Sequence, residues 1–251
     1  MCGRYSLTTA IDQLLPRLQG PLPPGLVEHY APRQQVRPGE PVLLQRQEHG
    51  RLQVGLALWG FLPEWSKDPL GMRRPINARS ETVTEKPFFR AAWRHRRALL
   101  PADSFFEWQS RLDAGTGLTT KQPWLFRRRD RAPFWLGGLW ERWIGPDGGE
   151  LESCCVLTTA PNDLLRRVHD RMPVVIPDGL EQAWLDQADG PGLRILEPLM
   201  APWEPAAWEA VKLEVDVGAG GNAAEGPVAS DSASGTPAQG GPGPQQLNLL
   251  G

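Results

Sequence analysis

Long apolar runs are missing from this sequence. Every hydrophobic stretch is broken by proline, glycine or charge before it reaches the length needed to cross a bilayer. The opening, MCGRYSLTT, lacks a basic segment followed by an apolar run, so a secretory signal is not expected. Cysteine is scarce: the three residues are Cys2, Cys154 and Cys155, and three thiols cannot all pair within one chain. Cys154 and Cys155 are adjacent in a strand-like run, which points their side chains to opposite faces and keeps them from bonding each other. A reduced cytoplasmic compartment is the expectation. There is no CxxC pair or His/Cys cluster, and four scattered histidines do not make a zinc site. No metal and no cofactor are therefore expected. Tyrosine is nearly absent, with two residues against eleven tryptophans. Such an excess of tryptophan serves either a core or a stacking surface, and most of it is assigned here to the core.

Net charge is close to balance at −2, which argues against a protein generally coated with nucleic acid. The charge is nevertheless uneven. The segment from Arg73 to Arg97 carries Arg73, Arg74, Arg79, Lys86, Arg90, Arg94, Arg96 and Arg97 against only Glu81 and Glu85. Such a patch is either a solvated face or a place that attracts phosphate.

The periodicity predicts short strands interrupted by short helices, with no βαβ rhythm. Residues 4–8 read as a first strand, followed by a helix capped by Thr8 or Thr9 with Ile11, Leu14, Leu15 and Leu18 at helical spacing. Residues 41–46 and 52–59 alternate as strands around an EHG turn. Trp59 to Pro63 form a stiff turn expected to expose an aromatic. NARSE at 77–81 leads into a short helix, and 88–95 forms another with Phe89, Ala92 and Trp93 inward. Further strands are expected at 97–100, 123–128, 134–140, 152–159 and 211–216, with helices opening at Pro161 and near 179. This pattern predicts an α+β fold: a single domain over residues 1–216 with a curved, mainly antiparallel, barrel-like β-sheet core and short flanking helices. Residues 217–251 turn to Gly, Ala, Ser, Pro and Gln and read as a disordered tail carrying a short apolar LNLL.

Cys2 is the chemically suggestive residue. Loss of Met1, favoured by the small side chain that follows it, would leave an amine and a thiol on adjacent carbons. Their reference pKa values are roughly 7.7–8.0 and 8.5, so both are partly available as nucleophiles near neutrality. An amine beside a thiol is suited to capturing an aldehyde, as an imine that sulfur closes into a five-membered ring. The plain alternative is a small buried cysteine near a terminus. Glu107 sits between aromatics in SFFEW, where burial raises a carboxyl pKa and lets it both donate and accept a proton. His169 lies at a helix end beside Asp170 and Arg171, and Asn77 is a neutral polar group able to hold a hydroxyl or carbonyl. Each of these also fits an ordinary role as a cap, ion-pair partner or satisfied polar group.

The chain resembles the SRAP (SOS-response-associated peptidase) family. The matching blocks include MCGRY at 1–5, APRQ at 31–34, WGFLPEW at 59–65 and NARSET at 77–82. RRALLPADSFFEW at 96–108, GGLWERW at 137–143, LTTAPN at 157–162 and VHDRMPVVI at 168–176 continue the family order to about residue 180. The resemblance implies a mature N-terminal cysteine that forms a stable thiazolidine with the ring-opened aldehyde of an abasic site, preferentially in single-stranded DNA. It places Cys2, Asn77, Glu107 and His169 in the active site, and Arg4 and Arg79 along the nucleic-acid groove. His169 is assigned to ring opening and Glu107 to proton transfer at the amine. Arg73 and Arg74 are expected to meet phosphates, and Trp59, Phe61 or Leu62 to wedge beside the lesion.

Three positions depart from the family pattern. His29 stands near a usual asparagine, and Ser104 and Phe106 replace the glycine and tyrosine of ADGFYEW. Two other readings stay open: a cysteine-type peptidase or autopeptidase with Cys2 as nucleophile and His169 as base, and a non-covalent single-strand-binding module. A monomer is expected, with no membrane association, no obligate protein partner, and a nucleoid-associated place in the cytoplasm through DNA binding.

Overall fold

The computed structural model describes residues 2–112, 115, 117–186 and 196–214. The chain enters on strand β1 (Tyr5–Leu7), followed by helices α1 (Ile11–Leu14) and α2 (Leu26–His29) and strand β2 (Arg33–Val36). A long hairpin of β3 (Pro41–Glu48) and β4 (Arg51–Trp59) comes next. Its two-residue turn places His49 at φ 49 and Gly50 at φ 74. Positive φ at both central positions matches the twist of the flanking strands, and glycine takes the second at no steric cost. The short β5 (Asn77–Arg79) and helix α3 (Arg90–His95) then lead to β6 (Arg97–Ala102) and β7 (Ser104–Leu112). The remaining strands are β8 (Thr119–Arg128), β9 (Phe134–Ile144), β10 (Glu150–Thr159), β11 (Met172–Pro173), β12 (Val175–Ile176) and β13 (Trp208–Lys212), with α4 (Glu181–Leu185) after β12.

Two sheets result. In the larger, β3 pairs with β4 and β6, β6 with β9, β9 with β10, and β10 with the end of β4, so these strands close into a barrel. The contacts of β10 with β4 and β5 are parallel and the rest of the ring is antiparallel. Closure is made by two residue pairs, Ser153 with Leu58 and Cys154 with Trp59. It also demands close packing where β9 is sandwiched between β6 and β10. At Gly138 an added Cβ would lie 2.5 Å from Leu100 Cδ1 and 2.8 Å from the Cys155 carbonyl, so glycine is required there. The smaller sheet runs β13-β8-β7-β1-β2. The curved, mainly antiparallel α+β fold read from the sequence is therefore the one formed.

The core divides in two. One cluster joins the smaller sheet to the barrel through Tyr5, Trp59, Phe105, Phe126, Trp140 and Trp208. The other packs Phe61, Phe89, Trp93, Leu139 and Trp184 between the barrel and the helices. Cys154 falls in the first cluster and Cys155 in the second, as strand alternation requires. Trp59, Trp93, Trp135 and Trp184 are among the largest fully buried side chains, so much of the tryptophan excess does serve the core.

Several local expectations are corrected. Thr8 and Thr9 do not cap α1, whose entry residue Ala10 has no side-chain cap. Their hydroxyls and backbone N–H groups instead donate to the carboxylate of Asp103, which gathers them at the corner between β6 and β7. The segment after NARSE forms turns rather than a helix, and 163–168 forms turns with helical hydrogen bonds from Arg166 N–H to Asn162 and from His169 N–H to Leu165. The last strand starts earlier than expected, at Trp208, because β13 follows the full register of β8 from Arg128 to Trp124. The end of the expected domain at 216 and the expected tail at 217–251 lie outside the described residues.

Candidate active site

The site is built where the first residues of the chain meet both sheets. β1 lies beside β7, with Tyr5 opposite Phe105 and the N–H of Phe106 donating to the Arg4 carbonyl at 2.9 Å. This register carries Cys2 up alongside Glu107. Alternation along β7 sends Phe105 and Glu107 inward and Phe106 to the outer face. Cys2 is fully covered and Glu107 is 1% exposed. The Cys2 thiol contacts the Arg4 carbonyl at 3.9 Å, a weak sulfur contact.

Asn77 arrives from the barrel side. β5 runs parallel to β10, with Asn77 opposite Val156 and Arg79 opposite Thr158. Residues two apart share a face, so Asn77 and Arg79 point the same way while Ala78 is buried in the second core cluster. Asn77 Nδ2 donates to the Cys2 carbonyl at 2.9 Å and fixes that residue's backbone. Its Oδ1 is buried and has no hydrogen-bond partner among the described residues, leaving an acceptor beside Cys2.

His169 completes the group from the turn that precedes β11. Its Nε2 lies 3.9 Å from Glu107 Oε2. Two neighbours approach Nδ1 and demand opposite protonation: the Arg171 backbone N–H donates to it at 3.0 Å, while Asp170 Oδ1 lies at the same distance. The backbone donor is fixed by the chain, whereas the Asp170 side chain is 85% exposed and free to turn away. Nδ1 is thus the acceptor, and the neutral ring carries its hydrogen on Nε2, facing Glu107. Arg171 is held by a two-pronged ion pair to Glu81, at 2.6 and 2.8 Å, and by the Thr158 carbonyl at 2.6 Å.

Burial sets the electrostatics. It raises the Glu107 carboxyl to about 7, so both of its protonation states are populated near neutrality. It pushes the Cys2 thiol well above its ordinary value, with the Glu107 charge adding to the effect. It lowers His169, keeping the imidazole neutral. Beyond Glu107 and His169 an open polar cleft of about 460 Å³ extends past Trp108, Lys121 and Arg167.

The expected DNA-contacting residues separate into groups. Arg4 is partly exposed, lies over the Trp108 ring at 5.1 Å and donates to Gln35 Oε1 at 3.1 Å. Arg73 and Arg79 are exposed. Arg74 is turned back to the Pro69 carbonyl at 2.9 Å. Arg96 is paired with Glu141, and Arg97 is buried with its guanidinium on the Trp93 and Trp184 carbonyls, so both hold the fold together. Trp59, Phe61 and Leu62 are a correction: all three are 0% exposed and offer no face to a base. Trp59 packs on Tyr5 and donates to the Ile76 carbonyl, and Phe61 packs on Phe88 and Phe89. The exposed aromatic lies just past that turn, at Trp65, edge-on to Phe88. His29 is exposed on α2. Ser104 and Phe106 line a separate hollow of about 350 Å³ on the outer face of the smaller sheet, where Ser104 Oγ lies 2.6 Å from Ser6 Oγ. Sequence reasoning did not single out Gln35, Arg37 or Glu81 beside the site, and named Arg171 only as a neighbour of His169.

Fold and site together define a barrel protein whose candidate active site gathers a thiol near the chain start, a carboxyl with a raised pKa, a neutral imidazole and a carboxamide. The chain belongs to the SOS response associated peptidase (SRAP) family, which it matches over residues 1–219. It is 35% identical over 215 residues to the abasic site processing protein YoqW of Bacillus subtilis (strain 168), covering 85% of this chain and 92% of that one. It is 31% identical over 194 residues to the abasic site processing protein YedK of Escherichia coli (strain K12), covering 74% and 80%. Among solved structures, a Bacteroides thetaiotaomicron protein superposes with a TM-score of 0.71 at 22% identity over 86% of this chain and 93% of that one, a likeness of fold. A phage-related protein of Bordetella bronchiseptica gives 0.63 at 28% identity over 86% and 96%. Among the described residues no helix is long and apolar enough to cross a membrane, and no cluster of potential metal ligands occurs.

Proposed function

We propose that this protein captures abasic sites in single-stranded DNA covalently, through a thiazolidine formed by Cys2. The observation that carries the reading is the meeting of Cys2 with a carboxyl whose pKa is about 7 and with an Asn77 side chain that clamps the Cys2 carbonyl. Loss of Met1 converts the Cys2 nitrogen into an amine. His169, hydrogen on Nε2, assists opening of the sugar ring to the C1 aldehyde. The amine adds to that carbon, and Glu107 takes a proton from nitrogen and returns one to the departing hydroxyl, which leaves as water. The S–H then adds across the C=N bond: sulfur bonds to carbon, and its proton ends on nitrogen. One water is lost overall. Asn77 Oδ1 is placed to accept from the new amine or a sugar hydroxyl. Arg4 and Arg79 meet phosphates, with Arg73 assisting encounter. Holding the partners in place supplies up to about 7–11 kcal/mol of such a barrier.

The thiol environment favours this reading over a peptidase. A peptidase cysteine works as a thiolate, stabilised beside a protonated histidine. Here burial raises the Cys2 thiol and keeps His169 neutral, and His169 faces Glu107. A cytoplasmic, DNA-associated setting agrees with the free thiols of Cys154 and Cys155.

The test is a denaturing gel of the protein with single strands carrying or lacking one abasic site, together with intact mass of the protein. A denaturant-stable adduct made only on abasic DNA, by protein lacking Met1, is expected. Cys2→Ala and Cys2→Ser both keep the α-amine but cannot close the sulfur ring, so each should give only an adduct that needs borohydride to survive. A stable adduct from either variant overturns the mechanism.

A further inference from the structure

We propose that Arg37, outside the family's motif blocks, joins Arg4 in a two-guanidinium clamp for one backbone phosphate beside the captured sugar. The inference rests on the capture reading above and adds a binding residue to it. Arg4 Nη1 and Arg37 Nη2 both donate to the same oxygen, Gln35 Oε1, at 3.1 and 3.3 Å. The two guanidiniums share that neutral acceptor; burial and then the Arg37 charge lower the Arg4 guanidinium, and the Glu40 charge opposes them. The nearby carboxylate, Glu40, is engaged by the Arg33 guanidinium at 3.3 Å and the Arg37 backbone N–H at 3.1 Å. A phosphodiester oxygen pair suits such a fork, which Arg presents in fixed planar geometry.

The clamp is built in advance of binding. Arg37 starts the turn between β2 and β3, where the Glu40 N–H donates to the Arg37 carbonyl at 3.2 Å and the Gly39 N–H to the Trp59 carbonyl at 2.8 Å. Gly39 holds φ 86, a conformation natural to glycine. Arg4 is stacked over Trp108 and lies two residues from Cys2. A phosphate held here is therefore close to the sugar under attack, and ordering the arginines beforehand reduces the entropy lost on binding.

The test uses the full chain and two independent readouts. In the first, non-covalent binding to an intact oligothymidylate is measured across a salt series. Each phosphate neutralised on a single strand contributes a slope of about −0.7. Arg37→Gln should flatten the slope by about that amount and weaken binding about tenfold at low salt. Arg37→Lys should fall between, retaining charge without the fork. Arg51→Gln, at the other end of the β3–β4 hairpin, about 23 Å away along the strand, should bind like wild type. In the second, abasic strands carry a single neutral methylphosphonate at successive positions and adduct rates are compared. Wild type should be slowed at one position beside the lesion, and Arg37→Gln should be no slower there than elsewhere. Melting curves confirm that the variants fold. An unchanged slope for Arg37→Gln, or a methylphosphonate pattern identical to wild type, overturns the clamp. If wild type forms no adduct at all, the capture reading fails, and the salt slope still decides whether Arg37 holds a phosphate.

Discussion

Replacing Glu107 by Gln should make the protein more stable and less active at the same time, with a pH dependence that identifies the cause. Burial raises the folded-state carboxyl from 4.5 to about 7. Between those values the unfolded chain releases the proton and the folded protein keeps it. The folded state thus binds more protons, and stability falls as pH rises through this window and levels off above it. A shift of this size corresponds to roughly 3 kcal/mol, at about 1.36 kcal/mol for each pKa unit. Gln keeps the shape and cannot ionise, so the penalty disappears. At pH 8 the variant should melt about 6–12 °C above wild type, using about 2–4 °C per kcal/mol for a protein of this size. At pH 4 the two should melt within a degree or so of each other. Adduct formation should be slower by roughly 10–100-fold, and its rate should lose the wild-type change near pH 7. Scanning calorimetry at both pH values and gel-based rates across pH supply the measurements. If wild type and variant lose stability in parallel between pH 4 and 8, Glu107 is not the buried titrating group and its role as proton carrier falls.

His169→Ala should slow capture of an abasic sugar while leaving a simple pre-opened aldehyde on the same DNA backbone nearly unaffected; equal impairment on both would move His169 to the imine or ring-closing steps. Glu81→Ala should act through His169, because it frees Arg171 and loosens the backbone N–H that fixes Nδ1 as acceptor. About tenfold slower capture on the sugar substrate is expected, together with loss of the single Nε2–H tautomer in nitrogen NMR; an unchanged tautomer with slowed capture would show that Glu81 acts otherwise. Deleting residues 218–251 should leave the melting temperature within about 2 °C and the adduct yield unchanged, as checked by circular dichroism and gel, and a large loss of stability would mean that LNLL packs into the domain.

Local structure was legible where neighbouring residues determine it. The EHG turn fixed a hairpin, alternation placed Cys154 and Cys155 on opposite faces, and Phe89, Ala92 and Trp93 marked the buried side of α3. A barrel-like sheet was expected, but the strand pairs that close it were not legible, because closure depends on β10 meeting β4 and β9 at once, a pairing between segments far apart in the chain. Trp59 and Phe61 were misplaced for a related reason: an aromatic beside glycine in a turn packs inward or outward according to what lies across from it, here Tyr5 and Phe89. Arg97 looked like part of a basic face until β6 buried it against the carbonyls of Trp93 and Trp184. The central group of Cys2, Asn77, Glu107 and His169 came from the family resemblance, and chemistry alone had left each an ordinary alternative. Gln35, Arg37 and Glu81 escaped notice because their partners, Arg4 and Arg171, are brought to them only by the fold.

The way β10 shares one side between two parallel neighbours has a practical consequence. Cys154 pairs with Trp59 at the end of β4, and Val156 pairs with Asn77 at the start of β5. The segment 60–76 therefore leaves and returns to the same strand at points only about 7 Å apart. Its length is uncoupled from the placement of Asn77, since both ends are pinned to the barrel whatever lies between them. Lengthening such a loop costs little, about 0.6 kcal/mol for each doubling. The exposed stretch around Leu70, which is 92% accessible, is accordingly a natural port for grafting a fluorophore-bearing peptide or a second recognition module without disturbing the clamp on Cys2.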